Sequence, residues 1–393
     1  MKILHVGKFF HPSHGGIESF LFDLAAASAE QGVEQGLIVH AQAGENLGTV
    51  DAPAYPFLRY FDRVGSLGSF GYAPISPAFG RRLNQAINRF VPDLLYLHFP
   101  NPSAFWALMT PAARRLPWII HWHADASGPE FERLVRVLYR FYRPFEQAML
   151  GRAARVIVSS PPYLDSSQAL QRWHERCRVI PLGLDPRRVR DTADEAVSAL
   201  WGSDGRLRIL ALGRLTAYKG FDVLLRALGG TQARLIIAGE GGERQRLEQL
   251  IRTHCPGAAV DLAGAVSDAH RNQLLSSCDL VCLPSLNRAE AFGISVLEAM
   301  AIGKPALVSK LPGSGLPWLV QDGLTGWHAL PGDAEGLARR INWLDQHRCA
   351  LSAAGEQACA RFEQHFDIQQ VARQIIMVQA EAVAASGSGG DSS

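Results

Sequence analysis

No apolar run in the 393-residue chain approaches the roughly 18 residues that would mark a membrane span. Cysteine is scarce. Six in a chain this long are too few for a disulfide scaffold, and Cys278 and Cys282, four apart with the second on a predicted strand, lack the paired spacing of a zinc site. They read as buried, reduced thiols. An excess of charge is missing too: 39 Lys and Arg against 37 Asp and Glu leave +2, too balanced for a dedicated nucleic-acid binder. The N-terminus enters directly on Lys2-Ile3-Leu4-His5-Val6, a strand pattern, without a charged-then-apolar signal segment. No repeat of solenoid period occurs. What is there, 47% apolar and 19% charged residues, excludes collagen, coiled coil and a mostly disordered chain. At roughly 150 residues per domain the length predicts two large domains. A soluble, cytoplasmic protein is expected.

Short apolar runs alternate with helical patterns throughout, the mark of βαβ units and parallel sheets. In the first half, strands are predicted at residues 2–7, 35–40, 94–98, 118–123 and 155–159, with helices over 17–31, 77–90 and 130–150. The second half predicts strands at 207–212, 234–238, 260–263, 280–283 and 305–309, with helices over 220–228, 243–253, 268–277, 295–301 and 334–346. Two such series predict an α/β fold of two doubly wound, Rossmann-like domains, with ligands at the carboxyl ends of the strands. The expected division is an N-terminal domain over 1–180, a linker over 181–206 and a second domain over 207–360. A C-terminal helix over 361–384 is expected to return to the first domain, followed by a disordered Ser/Gly-rich tail over 385–393.

One strand-to-helix loop carries cations: Gly213-Arg214-Leu215-Thr216-Ala217-Tyr218-Lys219-Gly220. A forked guanidinium, a point-charge ammonium and closely approaching backbone suit a diphosphate. Further on, Glu290-Ala291-Phe292-Gly293-Ile294-Ser295-Val296-Leu297-Glu298 opens a second helix. Its first N–H groups, at Gly293, Ile294 and Ser295, make an anion site. Glu290 before that helix and Glu298 one turn inside it repel phosphate but accept from sugar hydroxyls, which suits a ligand with phosphates between two sugars.

These two stretches resemble retaining glycosyltransferases of the GT-B fold, family 4. The resemblance extends to Gly15-Gly16-Ile17-Glu18 after the first strand and to Val179-Ile180-Pro181-Leu182-Gly183-Leu184-Asp185. It also takes in Ala238-Gly239-Glu240-Gly241 and Pro331-Gly332-Asp333, so it spans almost the whole chain in order. It implies two domains facing across a cleft, the second holding a nucleotide sugar. Arg214 and Lys219 would then bind the diphosphate and stabilise its developing charge, Glu298 would hold the ribose, and Glu290 the transferred sugar. Val266 would meet the base through its main chain. Gly15 and Gly16 would approach the diphosphate from the first domain, with His11 and His14 near the cleft. The chain has no Asp-x-Asp, the metal-chelating motif of the other major glycosyltransferase fold. The two cations therefore replace a metal, and neither a metal nor another cofactor is expected. Within His121-Trp122-His123-Ala124-Asp125, alternation puts both histidines on one face. The resemblance sets His123 beside the reacting sugar, with Asp125 a candidate to orient it or to receive the acceptor hydroxyl. His121 reads as structural.

On the predicted helix over 130–150, Arg133, Arg136, Arg140 and Arg143 recur at spacings of three and four, flanked by apolar and aromatic residues. Such helices suit anionic membrane surfaces. Residues 1–180 hold 18 Lys and Arg against 14 Asp and Glu, leaving +4 on the side expected to meet the acceptor. The stretch Pro312-Gly313-Ser314-Gly315-Leu316-Pro317-Trp318, with Tyr218-Lys219-Gly220, resembles bacterial surface-polysaccharide members of the family, which implies a metal-independent hexosyltransferase with GDP-mannose as the best-matching donor. Its acceptor is a saccharide, lipid-linked, in surface-polysaccharide biosynthesis, reached by peripheral contact with the inner membrane face. A UDP-sugar-dependent transferase, a nucleotide-sugar epimerase of the same fold and a non-catalytic nucleotide-sugar sensor are the alternatives.

Overall fold

The computed structural model describes residues 1–12, 15–42, 44–49, 55–70, 73–126, 133–189, 201–202, 204–255, 257 and 259–387. The chain divides into two compact units, Met1–Gly183 with Ile368–Ser393, and Leu184–Asp367.

The first unit contains β1 (Lys2–Val6), β2 (Glu34–His40), β3 (Gly48–Thr49), β4 (Leu58–Val64), β5 (Ser69–Phe70), β6 (Ala73–Pro74), β7 (Leu94–Phe99), β8 (Trp118–Trp122), β9 (Arg155–Val158) and β10 (Cys177–Val179). Eight of them form one sheet in the order β10-β9-β8-β7-β1-β2-β4-β3, and β5 pairs with β6. Every neighbour in the large sheet is parallel except the short β3, which runs against β4. Parallel strands covered on both faces need unbroken burial, and the Leu-Leu-Tyr-Leu-His-Phe of β7 is buried at every position. The sheet reverses its winding direction between β1 and β7.

The second unit contains β11 (Arg208–Leu212), β12 (Arg234–Ala238), β13 (Val260–Gly264), β14 (Leu280–Leu283), β15 (Ala306–Ser309) and β16 (Gly326–Ala329). Their order, β13-β12-β11-β14-β15-β16, is the 3-2-1-4-5-6 pattern of a doubly wound fold. Alternation sorts its core into two layers. Ile209, Ala211, Leu235 and Ile237 pack against Leu224, Leu228 and Ile341. Leu210, Leu212, Ile236 and Val281 pack against Leu274, Leu275 and Ala299 on the other face. The winding reverses between β11 and β14, and in such a sheet that reversal opens a crevice beyond the strand ends.

The final helix, Ile368–Gly387, belongs to the first unit. It lies on the helix Gly16–Glu30, and the Gln31 side-chain amide donates to the carbonyl of Gln369 at 3.0 Å. Residues 385–387, expected in a disordered tail, are helical, and 388–393 lie outside the described residues. Of the segment expected as a linker, 190–200 and 203 are outside the description. Trp201 is buried in the second unit, its indole N–H donating to Ser277 Oγ at 2.9 Å.

Candidate functional site

In the second unit the two elements flanking the winding reversal carry the candidate residues. Beyond β11 the chain turns through Gly213 and a 3-10 turn, Ala217–Lys219, into the helix Phe221–Leu228. Lys219 is buried, with Nζ 2.6 Å from Glu290 Oε2. The Ser285 hydroxyl donates to the same carboxylate oxygen at 3.0 Å. Gly213 has φ +146°, and a Cβ there would lie 3.2 Å from Lys219 Cε and 3.3 Å from Nζ. The missing side chain makes room for the ammonium group. Burial works against the lysine's charge, but Glu290, Tyr218 and the hydrogen bond outweigh it and hold the pKa above the ordinary lysine value. A charged donor is thus kept in a dry place. Arg214 is exposed on the same loop.

After β14, Gly293 adopts φ +97° and begins the helix Ile294–Ala301 with no side-chain cap. A Cβ on Gly293 would come within 2.6 Å of Leu316 Cδ1, so the turn is reserved for glycine. Without a cap, the first-turn N–H groups around Ile294 and Ser295 remain available to an anion. Glu298 is buried one turn inside this helix. Burial raises its pKa, against the pull of Arg271, whose Nη1 lies 3.6 Å away, and of Arg188. Arg271 escaped the sequence reading because it looks like any helical arginine. It bridges Glu298 and Asp268. Val266 is half-buried against the core, beside Ala265, whose N–H donates to Glu240 Oε1 at 3.3 Å.

In the first unit, Gly15 caps the helix Gly16–Glu30 without a side-chain hydrogen bond, and Glu18 stands in its first turn. The Tyr55 hydroxyl donates to the His11 carbonyl at 2.8 Å, while His14 lies outside the described residues. His123 follows β8 and is buried. Its Nε2 lies 3.0 Å from His98 Nδ1, and its own Nδ1 has no partner among the described residues. Asp125 therefore does not orient His123 through either ring nitrogen. Its carboxylate instead accepts from the Trp122 indole N–H at 2.9 Å and the Ser167 hydroxyl at 2.6 Å, tying the strand end to its neighbours. The ring nitrogen that contacts His123 belongs to His98.

His98, His121 and His123 bring ring nitrogens within 4.8 Å of one another, a grouping that could hold a metal ion. The sequence showed only two of the three, because His98 stands on the neighbouring strand. Their rings are nearly parallel: His121 and His123 stack 4.3 Å apart at 5°, whereas His98 and His123, 5.3 Å apart at 9°, meet edge to edge through their nitrogens. Imidazoles that share one ion must aim in-plane lone pairs at a single point, which parallel stacked rings do not do. Both nitrogens of His98 also face other imidazoles. The donor set suits a hydrogen-bonded ladder better than a metal.

The helix Arg133–Arg152 exposes Arg136, Arg140 and Arg143. The Arg133 side chain lies outside the described residues. Val137, Phe141 and Phe145 share the outer surface at 54%, 72% and 53% exposure, so apolar and basic groups mix there. On the inner side, Glu146 is fully buried and accepts from the Tyr139 hydroxyl at 2.6 Å. Burial pushes its pKa up to about 7.

Burial also lowers the pKa of His5 and His40 to about 4, that of His123 to about 3, and those of His98 and His121 well below the ordinary 6.5. A depressed folded-state pKa contributes stability above the unfolded value and loses it as pH falls. Each extra proton bound by the unfolded chain steepens that loss by about 1.4 kcal/mol per pH unit. Glu146 and Glu298, shifted the other way, offset part of that loss. The urea midpoint should fall steadily from about pH 6.5 towards pH 5; a flat midpoint over that range contradicts the burial of these histidines.

A "Glycosyl transferase 4-like domain" model matches residues 15–183, and a "Glycosyl transferases group 1" model matches 198–359. A D-rhamnosyltransferase of Pseudomonas aeruginosa is 27% identical over 93% of this chain and 92% of its own length. An O-antigen chain mannosyltransferase of Escherichia coli is 27% identical over 93% and 94%. A phosphatidyl-myo-inositol mannosyltransferase of Mycobacterium leprae is 29% identical over 95% of both. Among solved structures, the Anabaena protein HepE with UDP and glucose superposes with a TM-score of 0.75, at 24% identity, over 97% of this chain and 100% of that one. Sucrose-phosphate synthase of Thermosynechococcus elongatus gives 0.78, at 21% identity, over 98% and 99%. These two establish the fold. With one domain model on each unit and both in order along the chain, the protein is a glycosyltransferase of the GT-B fold and belongs to family 4, which carries the group 1 domain.

Proposed function

We propose that this glycosyltransferase moves a hexose of manno configuration from a GDP-linked donor to a lipid-linked saccharide, with retention at the anomeric carbon and without a metal ion. The observation that carries the reading is the buried Lys219–Glu290 pair at the winding reversal, beside an uncapped helix start. A departing nucleoside diphosphate gains negative charge as the bond from its oxygen to the sugar C1 breaks. A charged donor already in place stabilises that change without reorganising. Lys219 and Arg214 supply the cations, and the N–H groups of Gly293, Ile294 and Ser295 complete the cradle. Glu290 and Glu298 take the hydroxyls of the transferred sugar and of the ribose, Val266 meets the base, and Gly15 and Gly16 approach the phosphates. His123 stands by the sugar. The acceptor hydroxyl attacks C1 on the face the phosphate leaves, and its proton passes to the leaving phosphate oxygen. The named relatives favour manno sugars, since D-rhamnose is 6-deoxymannose.

Removing one preorganised donor at a developing anion costs roughly 10²–10³ in rate. Lys219→Ala should lose about that much kcat per folded molecule. It should also unfold more easily, because breaking a buried pair costs about 3–5 kcal/mol. A rate loss below tenfold, measured well under the unfolding temperature, contradicts the role of Lys219.

No helix among the described residues is long and apolar enough to cross a membrane. We assign lipid contact to the exposed basic and aromatic surface of the helix Arg133–Arg152, acting peripherally at the inner membrane face. Binding to vesicles containing phosphatidylglycerol should weaken with salt and be lost in the double variant Arg136→Glu/Arg140→Glu. Unchanged binding removes that assignment.

A further inference from the structure

Four adjacent strands of the first unit each contribute one polar side chain to a continuous hydrogen-bonded line. Gln35 stands on β2, His5 on β1, His98 on β7 and His123 just past β8, in the spatial order of those strands. None is more than 5% exposed. Gln35 Oε1 lies 2.8 Å from His5 Nε2, His5 Nδ1 lies 3.1 Å from His98 Nε2, and His98 Nδ1 lies 3.0 Å from His123 Nε2. The line crosses the winding reversal between β1 and β7.

Its polarity is set at one end. Gln35 Nε2 donates to the Val33 carbonyl at 2.9 Å, which turns the amide oxygen towards His5. An oxygen there requires a proton on His5 Nε2. A neutral imidazole carries one donor and one acceptor. His5 Nδ1 therefore accepts, so His98 must carry its proton on Nε2, and by the same step so must His123. The last nitrogen, His123 Nδ1, is left as a bare acceptor, and it has no partner among the described residues. Reversing the line would set the amide oxygen against a lone pair on His5, disfavoured by roughly ten- to hundredfold. Burial keeps the rings neutral, and the Phe20 ring packs roughly perpendicular to His121 and His123, with centroids 5.0 and 5.9 Å away.

We propose that Gln35, His5 and His98 are positioning residues that hold His123 in its Nε2–H tautomer, so that Nδ1 is presented as a hydrogen-bond acceptor to a substrate hydroxyl. The proposal rests on the placement of His123 beside the reacting sugar. A hydroxyl hydrogen bonded to Nδ1 is oriented with its oxygen lone pairs away from the ring, whereas the other tautomer would meet it with a donor.

The test uses the full chain labelled with ¹⁵N-histidine. Two-bond proton–nitrogen correlation spectra report which ring nitrogen of each histidine is protonated. The wild-type protein should show Nε2–H for His5, His98 and His123 together. Gln35→Met removes the amide that sets the polarity. It should give a mixture of tautomers at His123 and lower kcat tenfold or more, with nucleotide binding retained as the sign of a folded second unit. Gln35→Glu should restore the single tautomer and most of the activity, since a neutral carboxyl can accept from His5 and donate to Val33. A proton on His123 Nδ1 in the wild-type spectrum, or an unchanged His123 tautomer in Gln35→Met, overturns the proposal without reference to activity. His123→Ala tests the underlying placement separately: full turnover in that variant removes His123 from the reaction and leaves the tautomer ladder intact.

Discussion

A lysine ammonium and a glutamate carboxylate lie 2.6 Å apart, less than a tenth of either residue exposed, at the point where a parallel sheet reverses its winding. Burying two charges is unfavourable unless each satisfies the other, and even then such a pair rarely stabilises a fold more than apolar packing would. The proposed function explains its presence by what it would do when a ligand arrives. Lys219 is a strongly hydrated point charge in most settings. Here Glu290 holds it charged, partly desolvated and aimed, so that little reorganisation remains before it can meet a phosphate. The same contact ties the loop after β11 to the segment after β14, the two elements whose separation opens the crevice.

The first unit solves a related problem without charge. Its winding reversal is bordered by His5 on β1 and His98 on β7, both neutral through burial. Where the second unit keeps an ion pair in a dry setting, the first keeps a line of imidazoles whose donors and acceptors are all assigned by one glutamine amide. The two devices match the two halves of the proposed reaction: a fixed charge for the departing diphosphate, and a fixed neutral acceptor for a sugar hydroxyl.

Much of this was legible in the sequence, because buried parallel strands are short apolar runs and their order follows from the alternation with helices. β4 was missed because Leu-Arg-Tyr-Phe-Asp-Arg-Val does not read as apolar, although Asp62 is buried with Arg82 as its partner. β10 is only three residues long, and β16, Gly-Trp-His-Ala, has no apolar run at all. Lys219, Glu290 and Glu298 could be singled out because loop and helix spacing place them near strand ends. The histidine ladder could not: His5 and His98 are 93 residues apart, and only the observed strand order makes them neighbours. The available signal was Tyr96-x-His98 followed by His121-x-His123, two polar alternations on consecutive strands. Glu146 was hidden for the opposite reason, since a glutamate on an arginine-rich helix reads as solvated until Tyr139 and Tyr142 are seen around it.

The claim on which the rest turns is that fixed side-chain and backbone donors, with no divalent ion, bind the diphosphate. Calorimetric titration of GDP-mannose and UDP-glucose into the protein, with and without excess EDTA, addresses it directly. A protein-built clamp predicts binding that the chelator leaves unchanged, with GDP-mannose the tighter ligand. Binding that disappears in EDTA and returns with added magnesium or manganese would contradict it.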